Sequence, residues 1–203
     1  MTKDELISFY KNNFLPIYAD VVAMLADKPQ QIVFEIENTF SHLMVMLEHD
    51  ETDQTLSHKN LDKAYNHLVR ATLDSYKILW SEMSNFLDEI IKDRHTRYSS
   101  FNGKDHEILE SWNNFKKKAL EARQHEMKEV GKDQLLTISK YKDAIDEGRF
   151  LMNNFDFSKF QYSKKTKLWM ILKNNFVAFI LGVISSAIVS YLTYVLTLSP
   201  VSK

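Results

Sequence analysis

The sequence predicts an all-α protein, an elongated cytoplasmic helical bundle that ends in one C-terminal transmembrane helix. Three observations carry that expectation. Gly and Pro are scarce, four and three among 203 residues, which favours long helices over a turn-rich β fold. Apolar residues before residue 153 recur at intervals of three and four, the period of a helix face. The stretch from Phe176 to Leu198, FVAFILGVISSAIVSYLTYVLTL, is uncharged, and no charge falls between Lys173 and Lys203. At helical rise it spans ~35 Å, enough to cross a ~30 Å hydrocarbon core with modest tilt. The expected division is a helical bundle over 1–156, a basic and aromatic juxtamembrane segment over 157–173, a transmembrane helix over 174–198 and a short tail over 199–203.

The first helix is expected to start at Thr2, because Thr2 and Glu5 have capping-box spacing ahead of Leu6, Ile7, Phe9 and Tyr10. Pro16 should kink or divide it. A second segment runs from Ile17 through Leu25, and the Asp27-Lys28-Pro29 turn places Pro29 at the first position of the next helix. There Ile32, Ile36, Phe40, Leu43 and Leu47 keep one face apolar as far as His49, before a polar loop from Asp50 to Ser57.

The longest helix of this part is expected from about Ser57 to His95, where Leu61, Tyr65, Leu68, Thr72, Tyr76, Leu79, Met83, Phe86 and Ile90 recur without a breaker. Lys63, His67, Arg70, Asp74, Lys77 and Asp88 take its other face. A helix ~58 Å long needs more than one packing partner. Thr96 to Lys104, with Asn102-Gly103, reads as a turn, and Asp105 is placed to cap a helix carrying Ile108, Trp112, Phe115 and Ala119 toward Val130. Gly131 is a stop signal. Leu135, Ile138, Tyr141 and Ile145 mark a further helix from Asp133 to about Met152, so that about five helices precede the span. The aromatic segment from Asn153 to Ser163 is expected at the membrane surface.

Orientation follows from the basic residues beside the span. Lys164, Lys165, Lys167 and Lys173 precede it, and only Lys203 follows, so the N-terminal part is expected to stay cytoplasmic in a tail-anchored, single-pass topology, in a bacterial inner membrane. Trp169 suits the near interface, and Tyr191 and Tyr194 the far one. The helix has two unlike sides. Asn175, Ala178, Gly182, Ser185, Ser186, Ser190, Thr193 and Thr197 share one, whereas Val177, Ile180, Ile184, Ile188, Val195 and Leu198 fall opposite. Ala178, Gly182, Ser186 and Ser190 recur at every fourth residue, the spacing that lets helix backbones approach closely in a bilayer. This side is the expected face for homo-oligomerisation, with a pore lining as its more ambitious role and back-bonding of the hydroxyls to their own helix as its plainer one.

Composition narrows the chemistry. Cys is absent, which excludes disulfides and thiolate metal sites. All 27 acidic residues precede Lys164, against 21 of the 26 basic ones, a balance that argues against a general nucleic-acid binder. The N-terminus, MTKDELISFYKN, lacks the apolar core of a signal peptide. His106-Glu107 and His125-Glu126 have no second His at metalloprotease spacing, and no Glu-x-x-His pair of the dimetal type occurs. Five arginines lack a His five to seven positions on, four scattered glycines make no phosphate loop, and no Ser sits in a nucleophile elbow. The expectation is a protein that is not an enzyme and needs no cofactor or metal.

Two charged groups remain. Lys63, His67, Arg70 and Lys77 present donors that one anion or nucleotide would engage together, although pairing of Lys63 and Arg70 with Asp62 and Asp74 on a solvated face is the simpler reading. Lys116-Lys117-Lys118 with Arg123 is the most basic patch before the span, but successive residues point around a helix in different directions. The expected partners are the membrane and further copies of the chain, with a regulatory ligand or partner protein left open, a nucleotide or nucleic acid among them.

The Lys164 to Lys173 flank and the Ala178, Gly182, Ser186, Ser190 stripe, set behind a helical bundle, resemble in architecture the small single-pass membrane effectors of bacterial abortive-infection and anti-phage systems. The resemblance lies in the order of parts and carries no site over residue by residue. It implies a bundle that holds subunits inactive until a signal rearranges it, whereupon the assembled spans form a pore or perturb the bilayer. Tail-anchored fusion and tethering proteins share the layout, which sets the alternative: a scaffold whose bundle, through its long helix, binds a partner.

Overall fold

The computed structural model describes residues 1–129 and 132–198, with side chains as far as Tyr194. The expected stop at Gly131, the side chains of Val195, Thr197 and Leu198, and the tail lie outside the described residues. Every regular element among those described is helical; the one departure is an isolated antiparallel bridge between Phe101 and Phe155.

Helix α1 (Lys3–Phe9) opens with the expected capping box: Thr2 Oγ1 accepts from Glu5 N, and the Glu5 carboxylate accepts from Thr2 N at 2.7 Å. Pro16 acts through the turn before it. Pro16 lacks an N–H and its ring crowds the carbonyl one turn back, and the chain widens into a π-helical turn over Tyr10–Phe14 before resuming as α2 (Leu15–Leu25). Ala26, at φ 53°, ends α2 in the left-handed region. Helix α3 (Gln30–Glu48) starts one residue later than expected, because Pro29 takes the capping position and its carbonyl accepts from Ile32 and Val33.

The spine is α4 (Gln54–Ile91), which starts earlier and stops earlier than the periodicity suggests. Asp53 caps it by accepting from Thr55 and Leu56, and Asp93 starts a new helix beyond its end. Its 38 residues contain no Gly or Pro. Two groups of helices cover it. Toward its N-terminal end α3 runs back along it, with Thr39 Oγ1 reaching the Ala64 carbonyl and His67 Nδ1 lying 2.6 Å from Glu35. Toward its C-terminal end it meets α6 (Asp105–Lys128) and α7 (Gln134–Asn154), while α2 packs on α4, buries Ile17 and Val21, and reaches α7 through Asp20 and Arg149. Because helices pack on several sides, the polar side expected to be solvated is half covered, with His67, Asp74 and Lys77 all below a third exposed.

Gly148 explains how α7 fits. A Cβ there would stand 2.7 Å from Met83 Cε and 2.9 Å from the Phe115 ring, so the glycine lets α7 sit close to α4 and α6 at once. In the core as a whole Leu68, Leu87, Ile90, Phe115, Ile145 and Leu151 are fully buried, each contributing ~1.5–3 kcal/mol relative to an exposed position.

Two expectations need correction. The turn read over Thr96 to Lys104 is largely a helix, α5 (Arg94–Ser100), whose N-terminus Asp93 caps through His95 N. Asp105 is no cap; it sits in the first turn of α6 and holds Arg97 in a bidentate pair at 2.6 and 3.2 Å. The aromatic segment packs in part on the helical body, while its Phe157 and Tyr162 are exposed. Phe155 is in ring contact with Phe86, Phe101 and Phe160 at centroid distances of 5.2, 5.6 and 5.5 Å, an aromatic cluster inside the helical body.

Helix α8 (Phe157–Leu198) is the last and longest. It is long and apolar enough to cross a membrane, and none of its apolar window is buried against the rest of the chain.

Candidate functional site

The body meets the apolar helix at a junction built from the end of α4, from α5 and from the first three turns of α8. Its base is fixed by backbone. The loop before α6 and the loop before α8 pair through Asn102 N to Asn154 O and Asp156 N to Ser100 O, both 2.7 Å. Asp156 then caps α8 by accepting from Lys159 N. This places Phe160 in the aromatic cluster and buries Ser163, whose hydroxyl shares a hydrogen bond with His95 Nδ1 at 3.3 Å.

Charge continues the docking for one more turn. Lys164 Nζ lies 3.0 Å from Glu89 and 4.5 Å from the centroid of the Phe160 ring. Lys167 Nζ lies 2.7 Å from Asp93. Asp93 also accepts from the Thr96 hydroxyl and His95 N, and these donors, Lys167 foremost, hold its carboxyl down at about 2. Arg97 completes the frame, its guanidinium joining Asp105 to the Ile91 carbonyl at 2.7 Å. The sequence marked Lys164 and Lys167 as membrane-flanking charges, and both are paired with the body. Lys165 and Lys173 form no ion pair among the described residues, and Trp169 is exposed.

Past Lys167 the helix leaves the body without a break. Asn175, Ala178, Gly182, Ser185, Ser186, Ser190 and Thr193 lie along one continuous exposed helix, and a Cβ at Gly182 would meet nothing within 4 Å. Thr193 bonds back to the Val189 carbonyl at 2.9 Å, as the plainer reading of these hydroxyls expects.

Two of the four residues offered as an anion group have acidic neighbours. His67 faces Glu35, and Lys77 is bound to Asp74 at 2.7 Å and Glu126 at 3.1 Å. Lys63 and Arg70 form no ion pair among the described residues, and their expected partners are engaged elsewhere: Asp62 with the N-terminal amine and His58, Asp74 with Lys77. Among the described residues no three His, Asp or Glu side chains are grouped to hold a metal.

Comparison with protein-family models, with curated proteins and with solved structures finds no match in any of the three. Function therefore rests on this geometry. Sequence reasoning missed Glu89, Asp93, His95 and Ser163 as parts of one junction. Asp93 alone carried a legible signal, a helix cap two residues past an apolar run.

Proposed function

We propose that the protein is a single-pass membrane effector whose span self-associates through its Gly, Ser and Thr side and opens a pore or disturbs the bilayer when the helical body is activated. The observation that carries the reading is the continuity of α8, whose first turns are docked on the body and whose later turns are apolar and bare. A rotation of α4 and α5 would be delivered to the span as a rigid movement, because Glu89 and Asp93 grip α8 directly. The N-terminal part sits on the cytoplasmic side, as the positive-inside rule requires, with Lys165 and Lys173 free to meet lipid phosphate and Trp169 at the headgroup level. Chemistry at a catalytic centre has no part in this proposal. Expression in bacterial cells loaded with a voltage-sensitive dye tests it: activation should collapse the membrane potential, and an unchanged potential under every activating condition would refute pore formation.

A second reading, a membrane-held interaction protein, is favoured by the apolar groove between α1 and α3, where Ile7, Tyr10 and Phe40 are exposed. Replacing residues 174–198 by a foreign transmembrane helix separates the two. Retained function supports the tether, and lost function supports the effector.

A further inference from the structure

The structure regroups the charged residues around a cleft that the sequence does not suggest. Helix α6 lies along α7, and α7 lies on α4, while α6 and α4 touch only sparingly. The gap between them is a cleft of about 670 Å³. Lys77, Trp80, Ser84 and Asp88 line it from one stripe of α4, at helical spacing. Leu120 and Arg123 face them from α6, and Tyr141 of α7 closes one end.

The cleft has three zones, because α4 and α6 run antiparallel. Lys77 and Arg123 meet at one end through a shared carboxylate, Glu126, which also accepts from the Tyr141 hydroxyl at 3.4 Å. Trp80 and Leu120 make the middle apolar and aromatic. Asp88 and Lys116 stand at the other end, 3.5 Å apart. Arg123 spends a single N–H on Glu126 and is more than half exposed, leaving a free edge of the guanidinium for a phosphate. The Trp80 indole N–H is shielded from solvent and has no acceptor among the described residues, so it is the ring that Trp80 offers to a ligand.

We propose that this cleft binds a nucleoside phosphate, with the phosphate on the open edge of Arg123, the base against Trp80, and a base amino or N–H group donating to Asp88. A cleft of this size suits a ligand of that class, and a flat ring with an anionic end matches an aromatic middle beside the exposed guanidinium edge of Arg123. A bare phosphate would leave the aromatic zone empty, and a bare nucleoside would leave Arg123 unused. The proposal stands independently of membrane activity.

Titration of the full chain in detergent micelles with AMP and GMP, with adenosine and inorganic phosphate as separate arms, tests it by calorimetry and by tryptophan fluorescence. At least one nucleotide should bind about tenfold or more tighter than adenosine or phosphate alone and quench fluorescence. Arg123→Ala, an exposed substitution, should bring the nucleotide to the affinity of adenosine, and Trp80→Phe should abolish the quench while leaving measurable binding. Lys117→Ala, outside the cleft, should change nothing. Absence of nucleotide binding at ~1 mM, equal affinity for adenosine, or nucleotide binding indifferent to Arg123→Ala would each overturn the assignment.

Discussion

Lys167 Nζ lies 2.7 Å from Asp93, 74 positions away in the chain, and among the described residues this pair is the last ion pair between the helical body and α8. Asp93 also caps α5, so a single carboxylate ties the direction of α8 to the end of α4.

Asp93→Asn keeps the cap and removes the ion pair, and it is expected to cost at most ~1 kcal/mol, since both side chains are partly exposed. The clearer effect is local: amide hydrogen exchange over residues 160–167 should accelerate while α7 is unchanged. The pH dependence has a definite sign. Asp93 is depressed from 3.8 to about 2 in the folded chain, so its contribution is complete above ~4 and is lost as pH falls toward 2. The stability difference between Asp93→Asn and the parent chain, followed by thermal melting, should therefore be nearly constant above ~4, shrink as pH falls, and vanish only below ~2.

Gly148→Ala is expected to destabilise by ~1–3 kcal/mol, because its Cβ would overlap Met83 Cε at 2.7 Å and the Phe115 ring at 2.9 Å. Met83→Ala in the same chain should recover part of that loss, and urea unfolding of the four variants gives the coupling. Additive losses would place the crowding on Phe115 instead.

The difference between what was and was not legible is physical. Helix α4 was plain because a long run without Gly or Pro repeats its apolar residues at helical period. Helix α5 was hidden because seven residues give no period, and its tertiary pair Arg97 to Asp105 is invisible along the chain. The packing of Phe155 and Phe160 on Phe86 and Phe101 was hidden because aromatic rings suit an interface and a core equally, and the partners are distant in the chain. Lys164 and Lys167 fit the charge pattern beside a span, and sequence cannot show that Glu89 and Asp93 lie opposite. The cleft on Trp80 needs three helices in register, a relation that no local pattern encodes.

Ala26→Gly should raise stability by about 0.5–1 kcal/mol, since a residue with a Cβ at φ 53° carries strain that glycine relieves, less the added freedom of the unfolded chain. A higher urea midpoint at unchanged slope checks it.

Gly182→Leu should leave the body intact and weaken self-association, since the position is open in the single chain and lies on the small-residue side. Mass measurement in detergent should show a shift toward monomer; an unchanged oligomer would move the contact to another face.

The central claim is that α8 crosses lipid. Alkaline carbonate extraction of membranes from cells expressing the whole chain tests it most directly. The account predicts that the protein stays with the sedimented membrane, and its release into the supernatant would contradict it.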